Sequence, residues 1–167
     1  IYLSSHFFYL EGSKMEANKP RVTIEVDAAT SGTVGCWVAT LKDERTGTLK
    51  RMSGPVSDKS TYTAEVAVGM VKALCALKRP CSVRIFTSCR HTVDSANGWV
   101  YGWVKREWKT TDGQSVVNQQ QWETFLKLKE THTIEVHHEP HGPAWIRKEC
   151  REKTKARYVE LKKLGAI

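Results

Sequence analysis

Two carboxylates occupy positions where a carboxylate needs a reason. Asp27 closes a β-branched run, Arg21 to Val26 (RVTIEV). Glu65 lies inside Thr63 to Leu77 (TAEVAVGMVKALCAL), which is apolar on nearly every helical face. A buried glutamate is costly unless paired, so Glu65 points to a site that uses its charge. A lone aspartate often caps a loop; at these two places together, Asp27 and Glu65 suggest one acidic site. Three histidines follow in HHEPHG, His137 to Gly142. His137 and His138 are adjacent on a predicted strand and face opposite ways, so they do not share one ion, and no zinc site is expected. A third group is aromatic and basic. Trp99, Trp103 and Trp108 recur at helical spacing, with Lys105, Arg106 and Lys109 around them. Tryptophans one turn apart pack mainly on each other, while the cations offer phosphate contacts that give affinity without sequence choice.

The elements that must position these groups follow from periodicity and punctuation. Strands are predicted at Arg21–Val26, Cys36–Leu41, Thr48–Ser53, Ser82–Phe86 and Thr133–His138, with Ala28 to Gly35 (AATSGTVG) as a small-residue loop. Helices are predicted at Thr63–Leu77, His91–Trp108, Asn118–Lys129 and Ala144–Leu164. Arg79-Pro80 stops the first helix. The segments Thr110–Val117 and Glu139–Pro143 read as loops. Three strands in a meander followed by alternating helices and strands imply an α/β fold, with a five-stranded mixed sheet flanked by helices.

The bulk composition is consistent with this. The chain has 167 residues, enough for one domain with a substantial core. Hydrophobic residues make up 40% and charged residues 26%, an ordinary soluble composition. A net charge of +8 favours a polyanionic partner. The five cysteines are odd in number and have no CxxC spacing. They read as reduced thiols of a cytoplasmic protein, not a disulfide framework or zinc site. Nothing approaches transmembrane length, and no membrane partner is expected. The apolar start, IYLSSHFFYL, lacks a basic flank, and Met15 looks like a natural start. Residues 1–14 are therefore expected to be a tail or remnant, and residues 15–167 a single domain.

Several words in the chain resemble type 1 ribonuclease H, in particular the bacterial form that carries a basic handle. IEVDAAT is similar to that family's first strand, and TYTAE to the segment before its second carboxylate. SVRIFTSCRHTV resembles the fourth strand. NGWVYGWVKREWKTTDGQSVVNQQQW, Asn97 to Trp122, matches the handle closely, with Trp99, Trp103, Trp108, Asn118 and Trp122 on family positions. The resemblance covers about residues 20–160 and implies the ribonuclease H-like fold. It also implies cleavage of the RNA strand of RNA/DNA hybrids by two metal ions, Mg2+ or Mn2+, held by four carboxylates. On that pattern Asp27 and Glu65 take the first two positions and are the metal ligands if any metal binds. Ser88 stands at the third, and Arg151, just past Cys150, at the fourth. His141 fits a loop histidine that helps product leave. Trp99, Trp103, Lys105, Arg106, Trp108, Lys109 and Asn118 are the implied nucleic-acid contacts.

Two-metal hydrolysis needs carboxylate oxygens to offset about four positive charges. Asp27 and Glu65 supply two negative charges, Ser88 a neutral oxygen, and Arg151 a repelling cation. At ~5 Å and an effective dielectric of ~20, that repulsion is on the order of 3 kcal/mol per unit charge. One expectation is that Arg151, or a neighbouring base, stands in for metal by pairing with Asp27 and Glu65. The opposing expectation is a relocated ligand, from Glu139, Glu149 or Glu152. Three functions stay open: a homologue that binds RNA/DNA hybrid or related duplex with weak or absent cleavage; an active ribonuclease H with relocated ligands; and a non-catalytic interaction module with a protein partner. A monomer is expected. The last helix carries eight cations against three acids, and is either a solvated exterior or a second phosphate-tracking stripe.

Overall fold

The computed structural model describes residues 18–142 and 144–167. The expectations for the amino-terminal tail and for Pro143 lie outside the described residues. Five strands form one sheet: β1 (Arg21–Ser31), β2 (Val34–Asp43), β3 (Leu49–Ser53), β4 (Ser82–Thr87) and β5 (Thr133–His138). The sheet order is β3-β2-β1-β4-β5. β1 to β3 pair antiparallel, while β1, β4 and β5 run parallel. The helices are α1 (Tyr62–Cys75), α2 (Arg90–Asp94), α3 (Val100–Lys105), α4 (Gln119–Thr131) and α5 (Ala144–Lys163), with a π-helical turn (Ser95–Trp99) between α2 and α3.

The faces of β1 explain the layering. Ile24, Val26 and Ala28 point to one side and are buried with Val66, Met70 and Leu74 of α1. Each fully buried aliphatic side chain of this kind stabilises by roughly 1.5–3 kcal/mol. Alternation sends Asp27 and Ala29 to the other side. There Cys36, Val38, Ile146 and Cys150 form a smaller apolar cluster under α5, with Ala29 packed against it.

Two expectations change. The predicted loop Ala28–Gly35 is mostly strand: β1 continues to Ser31 and pairs through Ser31↔Val34. Gly32, at φ 58°, supplies the left-handed turn that lets small residues stay in the ladder. It is also tightly covered, since a Cβ there would meet the Tyr158 ring at 2.6 Å. Asp27 therefore sits inside a strand, opposite Val38, and not at its end. The predicted helix His91–Trp108 is divided into α2, the π-helical turn and α3, and stops at Lys105. Glu107 and Trp108 have positive φ, 52° and 62°. Gly98 and Gly102 weaken the helix there, and the Trp108 N–H donates to the Trp103 carbonyl at 2.7 Å, folding the chain back.

Candidate functional site

Asp27 is 2% exposed, and protein donors occupy both of its oxygens. Oδ1 accepts from the Ala28 N–H at 2.9 Å and from the Tyr62 hydroxyl at 2.7 Å. Oδ2 accepts from the Ser88 hydroxyl at 2.6 Å, and Arg147 Nε lies 3.9 Å from it. A carboxylate offers about four acceptor positions; three take hydrogen bonds here, and Arg147 stands beyond hydrogen-bond distance as a charge neighbour. The Tyr62 and Ser88 oxygens are 2.9 Å apart, so the two hydroxyls and Asp27 close a triangle. Burial, with the Asp27 carboxylate adding to it, pushes the Tyr62 phenol up from its ordinary value, against the opposing Ser88 hydrogen bond. The phenol thus stays a proton donor.

Local structure delivers each partner. Tyr62 opens α1, whose amino terminus is capped by the Thr61 hydroxyl accepting from the Ala64 N–H. Ser88 follows the end of β4, which lies alongside the middle of β1 in the parallel pairing. His138, at the end of β5, places Nε2 3.2 Å from the Ser88 carbonyl, a bond it makes as the Nε2–H tautomer. Arg147 lies on the first turn of α5 and also donates to the Gly142 carbonyl at 3.4 Å.

The expected guanidinium beside Asp27 thus comes from Arg147, not Arg151. Arg151 is exposed, and its side chain has no partner among the described residues. The reason is helical geometry. Cys150 points into the sheet against Cys36 and Val38, so its successor is rotated ~100° away. Sequence alone had no signal that singled out Arg147 or Tyr62, although Tyr62 stands inside the quoted word TYTAE.

Glu65 is 5% exposed and lies about one helical turn after Tyr62 on α1. A Cβ on Gly35 would meet its Cγ at 2.7 Å, so the strand backbone covers it closely. Burial raises its carboxyl above the ordinary glutamate value, and the Ser60 hydroxyl opposes that. It opens on a cleft of ≈ 610 Å³ shared with Lys59, Ser60, Lys72 and Asn118. Among the described residues no group of three or more His, Cys, Asp or Glu could hold a metal ion.

The remaining acidic candidates are engaged or remote. Glu139 accepts from the His141 N–H at 3.3 Å, folding its own loop, and its N–H donates to Thr87. Glu149 pairs with Arg51 and, at 3.1 Å, with Lys153. Glu152 is exposed on α5, and His141 is exposed in the loop.

The segment 97–122 is built around its rings. Trp103 meets Trp122 at 5.9 Å between centroids, and Trp122 meets Phe125 at 5.7 Å, both edge to face. Trp103 and Trp122 are buried, while Trp99 is 46% exposed and meets the His91 ring at 5.2 Å and the Trp103 ring at 6.4 Å. Trp108 is half-buried. Lys105, Arg106 and Lys109 are exposed. Two of them are held locally: Arg106 Nε donates to the Lys109 carbonyl, and Lys109 Nζ to the Ser115 hydroxyl. Asn118 takes a left-handed conformation, φ 61°, which asparagine tolerates. Its carbonyl accepts from the Gln121 and Trp122 N–H groups and so starts α4.

A fold of this order, with Asp27, Ser88 and the opening of α5 meeting at one end of the central strands, defines the ribonuclease H class. A family model described as RNase H matches residues 19–141. A ribonuclease H from Agrobacterium fabrum is 31% identical over 146 residues, covering 86% of this chain and 93% of the relative. Two solved structures share the fold. LC9-RNase H1, described as a type 1 RNase H with the type 2 active-site motif, superposes with a TM-score of 0.61 at 19% identity, over 72% of this chain and 63% of that one. LC11-RNase H1, solved in complex with RNA/DNA hybrid, gives a TM-score of 0.54 at 14% identity, over 71% and 85%. The chain belongs to the ribonuclease H family.

The family generally uses divalent metals, so the donor set was tested for fit. Around Asp27 it comprises one carboxylate, two hydroxyls and a guanidinium. A hard divalent cation needs several oxygen ligands with compensating negative charge; even with Glu65 added, two carboxylates beside an arginine do not offset the four positive charges of a metal pair. The residues present do not fit the metal pair.

Proposed function

We propose that this protein binds RNA/DNA hybrid or a closely related duplex and cleaves it weakly or not at all. The observation that carries this reading is the set of three hydrogen bonds that the protein itself makes to Asp27, with Arg147 beside them. Its acceptor positions face Ala28, Tyr62, Ser88 and Arg147, so a metal would have to displace hydrogen bonds and approach a fixed cation. Arg147 neutralises the buried aspartate in place of an ion. Substrate binding is supported by family membership and by the tryptophan-cored segment with its exposed cations. Relocated ligands are disfavoured by the positions of Glu139, Glu149 and Glu152.

The test is a labelled RNA/DNA hybrid incubated with the protein in Mg2+ or Mn2+, with a Glu65→Gln control and a binding titration in EDTA. Binding that persists in EDTA without cleavage is expected. Metal-dependent cleavage that vanishes in Glu65→Gln would overturn the reading in favour of an active enzyme. Absence of binding at any salt concentration would favour a protein-docking module.

A further inference from the structure

The family match ends at residue 141, before α5 begins. That helix carries eight cations and three acids, whereas the 97–122 segment carries three cations and two acids. Charge on α5 is also sorted. At 3.6 residues per turn, Arg147, Lys148, Arg151, Lys155 and Lys162 fall within an arc of about 100°. Glu149 and Glu160 lie on the opposite flank, where Arg51, Lys153 and Arg157 pair with them. Lys148, Arg151 and Lys155 are exposed and have no ion-pair partner among the described residues. Lys162 lies 5.7 Å from the centre of the Tyr158 ring, which aligns it with the same side.

A solvated helix stabilised by its own charges would interleave the signs so that cations meet acids at i+3 and i+4. Here Glu149 and Glu160 are consumed on one flank and the cations accumulate on the other, where Glu152 is the one acid at the edge of the arc. The arc is also anchored at the site. Its first member, Arg147, lies 3.9 Å from Asp27, and the row continues from there for about 22 Å along the helix. Ile146, Cys150, Thr154 and Leu161 turn inward on a side of α5 about 100° round the helix from the centre of the arc, which leaves Lys148, Arg151 and Lys155 exposed.

We infer that this arc is a second nucleic-acid surface, on which Arg147, Lys148, Arg151 and Lys155 track the phosphate backbone of the duplex away from the Asp27 pocket. The inference rests on the proposed duplex binding and adds where that binding is carried. Affinity from such a row is electrostatic and independent of sequence, and each neutralised phosphate contributes about 0.9 to the salt slope.

The experiment titrates one labelled hybrid from 50 to 200 mM salt against three proteins: the parent chain, Lys148→Ala/Arg151→Ala/Lys155→Ala, and Lys105→Ala/Arg106→Ala/Lys109→Ala. All three substituted positions on α5 are exposed, and circular dichroism with thermal melting confirms that the fold is retained. The α5 triple variant is expected to lose at least about tenfold in affinity at low salt and about 2–3 from the salt slope. Lys148→Arg/Lys155→Arg should retain both. Parent-like affinity and slope in the α5 triple variant, with loss only in the 105–109 variant, would overturn the arc and leave duplex binding standing. A parent that binds no hybrid at any salt would overturn both. A parent that binds phosphatidylserine vesicles but not duplex would assign the arc to an anionic membrane surface instead.

Discussion

The Asp27 pocket and the tryptophan-cored segment occupy one family fold but differ in how function could be lost from each. The segment 97–122 is held by packing. Trp103, Trp122 and Phe125 form an edge-to-face chain, and their burial would be needed whatever the surface contacts. The pocket is held by polar contacts, in which Ser88 and Tyr62 serve Asp27 and Arg147 stands beside it. Packing constrains volume, so residues stay recognisable. A polar network constrains only the balance of donors and acceptors, so a hydroxyl and a guanidinium can satisfy an aspartate as well as an ion does. The difference teaches that a binding scaffold and a catalytic charge set can diverge separately.

The sharpest way to break this contrast is to remove the ring at the centre of the packed region. Trp122→Ala should cost about 3–5 kcal/mol, as large-to-small changes at fully buried aromatic sites do, and should weaken hybrid binding. A chemical melt with a parallel binding titration checks it; a loss below ~1 kcal/mol would show that the segment does not depend on its ring chain. Next in size is a charge exchange in the pocket. Ser88→Asp with Arg147→Asp should leave three carboxylates unneutralised and lower stability by about 1–3 kcal/mol without metal. Excess Mg2+ at ~100 times its dissociation constant should return about 2.7 kcal/mol. The parent melting temperature should not respond to Mg2+. The same exchange at Ser88 and Arg151 should show no such recovery, because Arg151 faces solvent.

The sheet was legible in the sequence because β-branched runs are a local signal. β5 was delimited correctly from its residues, and the other strands were located with shifted ends. The extension of β1 through AATS was not legible, because small residues give no β signal and the extension depends on pairing with β2 and on the Gly32 turn. Asp27 and Glu65 were visible as charges in apolar surroundings, but the partners that surround each of them were not. Which face of a strand or helix a side chain takes relative to another element is set by tertiary packing. Arg147 was hidden for the same reason: Cys150 suggested its neighbour Arg151, while the burial of Cys150 against Cys36 turns that neighbour outward and brings the preceding turn to Asp27.

A smaller effect separates the pocket's hydroxyls. Tyr62→Phe removes one donor to a buried carboxylate and leaves Ser88 and Ala28 in place. A hydrogen bond to a charged group contributes about 1.5–3 kcal/mol and relaxation recovers part of it, so a loss of about 1–2 kcal/mol is expected. Urea midpoints for Tyr62→Phe, Ser88→Ala and the double variant would read the coupling. Additive losses would show that the two hydroxyls do not act as one network.

The smallest expected effect concerns the carboxylate outside the network. Burial raises Glu65 above the ordinary glutamate value, so the folded state binds its proton more tightly than the unfolded state does. Stability from this group is therefore fully present below the ordinary glutamate range and is lost as pH rises through the raised folded value. Glu65→Gln removes that dependence. It should match the parent near pH 4 and exceed it at pH 7 by up to ~1 kcal/mol, a rise of about 2–4 °C in Tm. Melting curves across that pH range decide the point. A variant less stable than the parent at pH 7 would mean that Glu65 is charged and paired in the fold, and would place both acidic residues, not Asp27 alone, in a neutralised site.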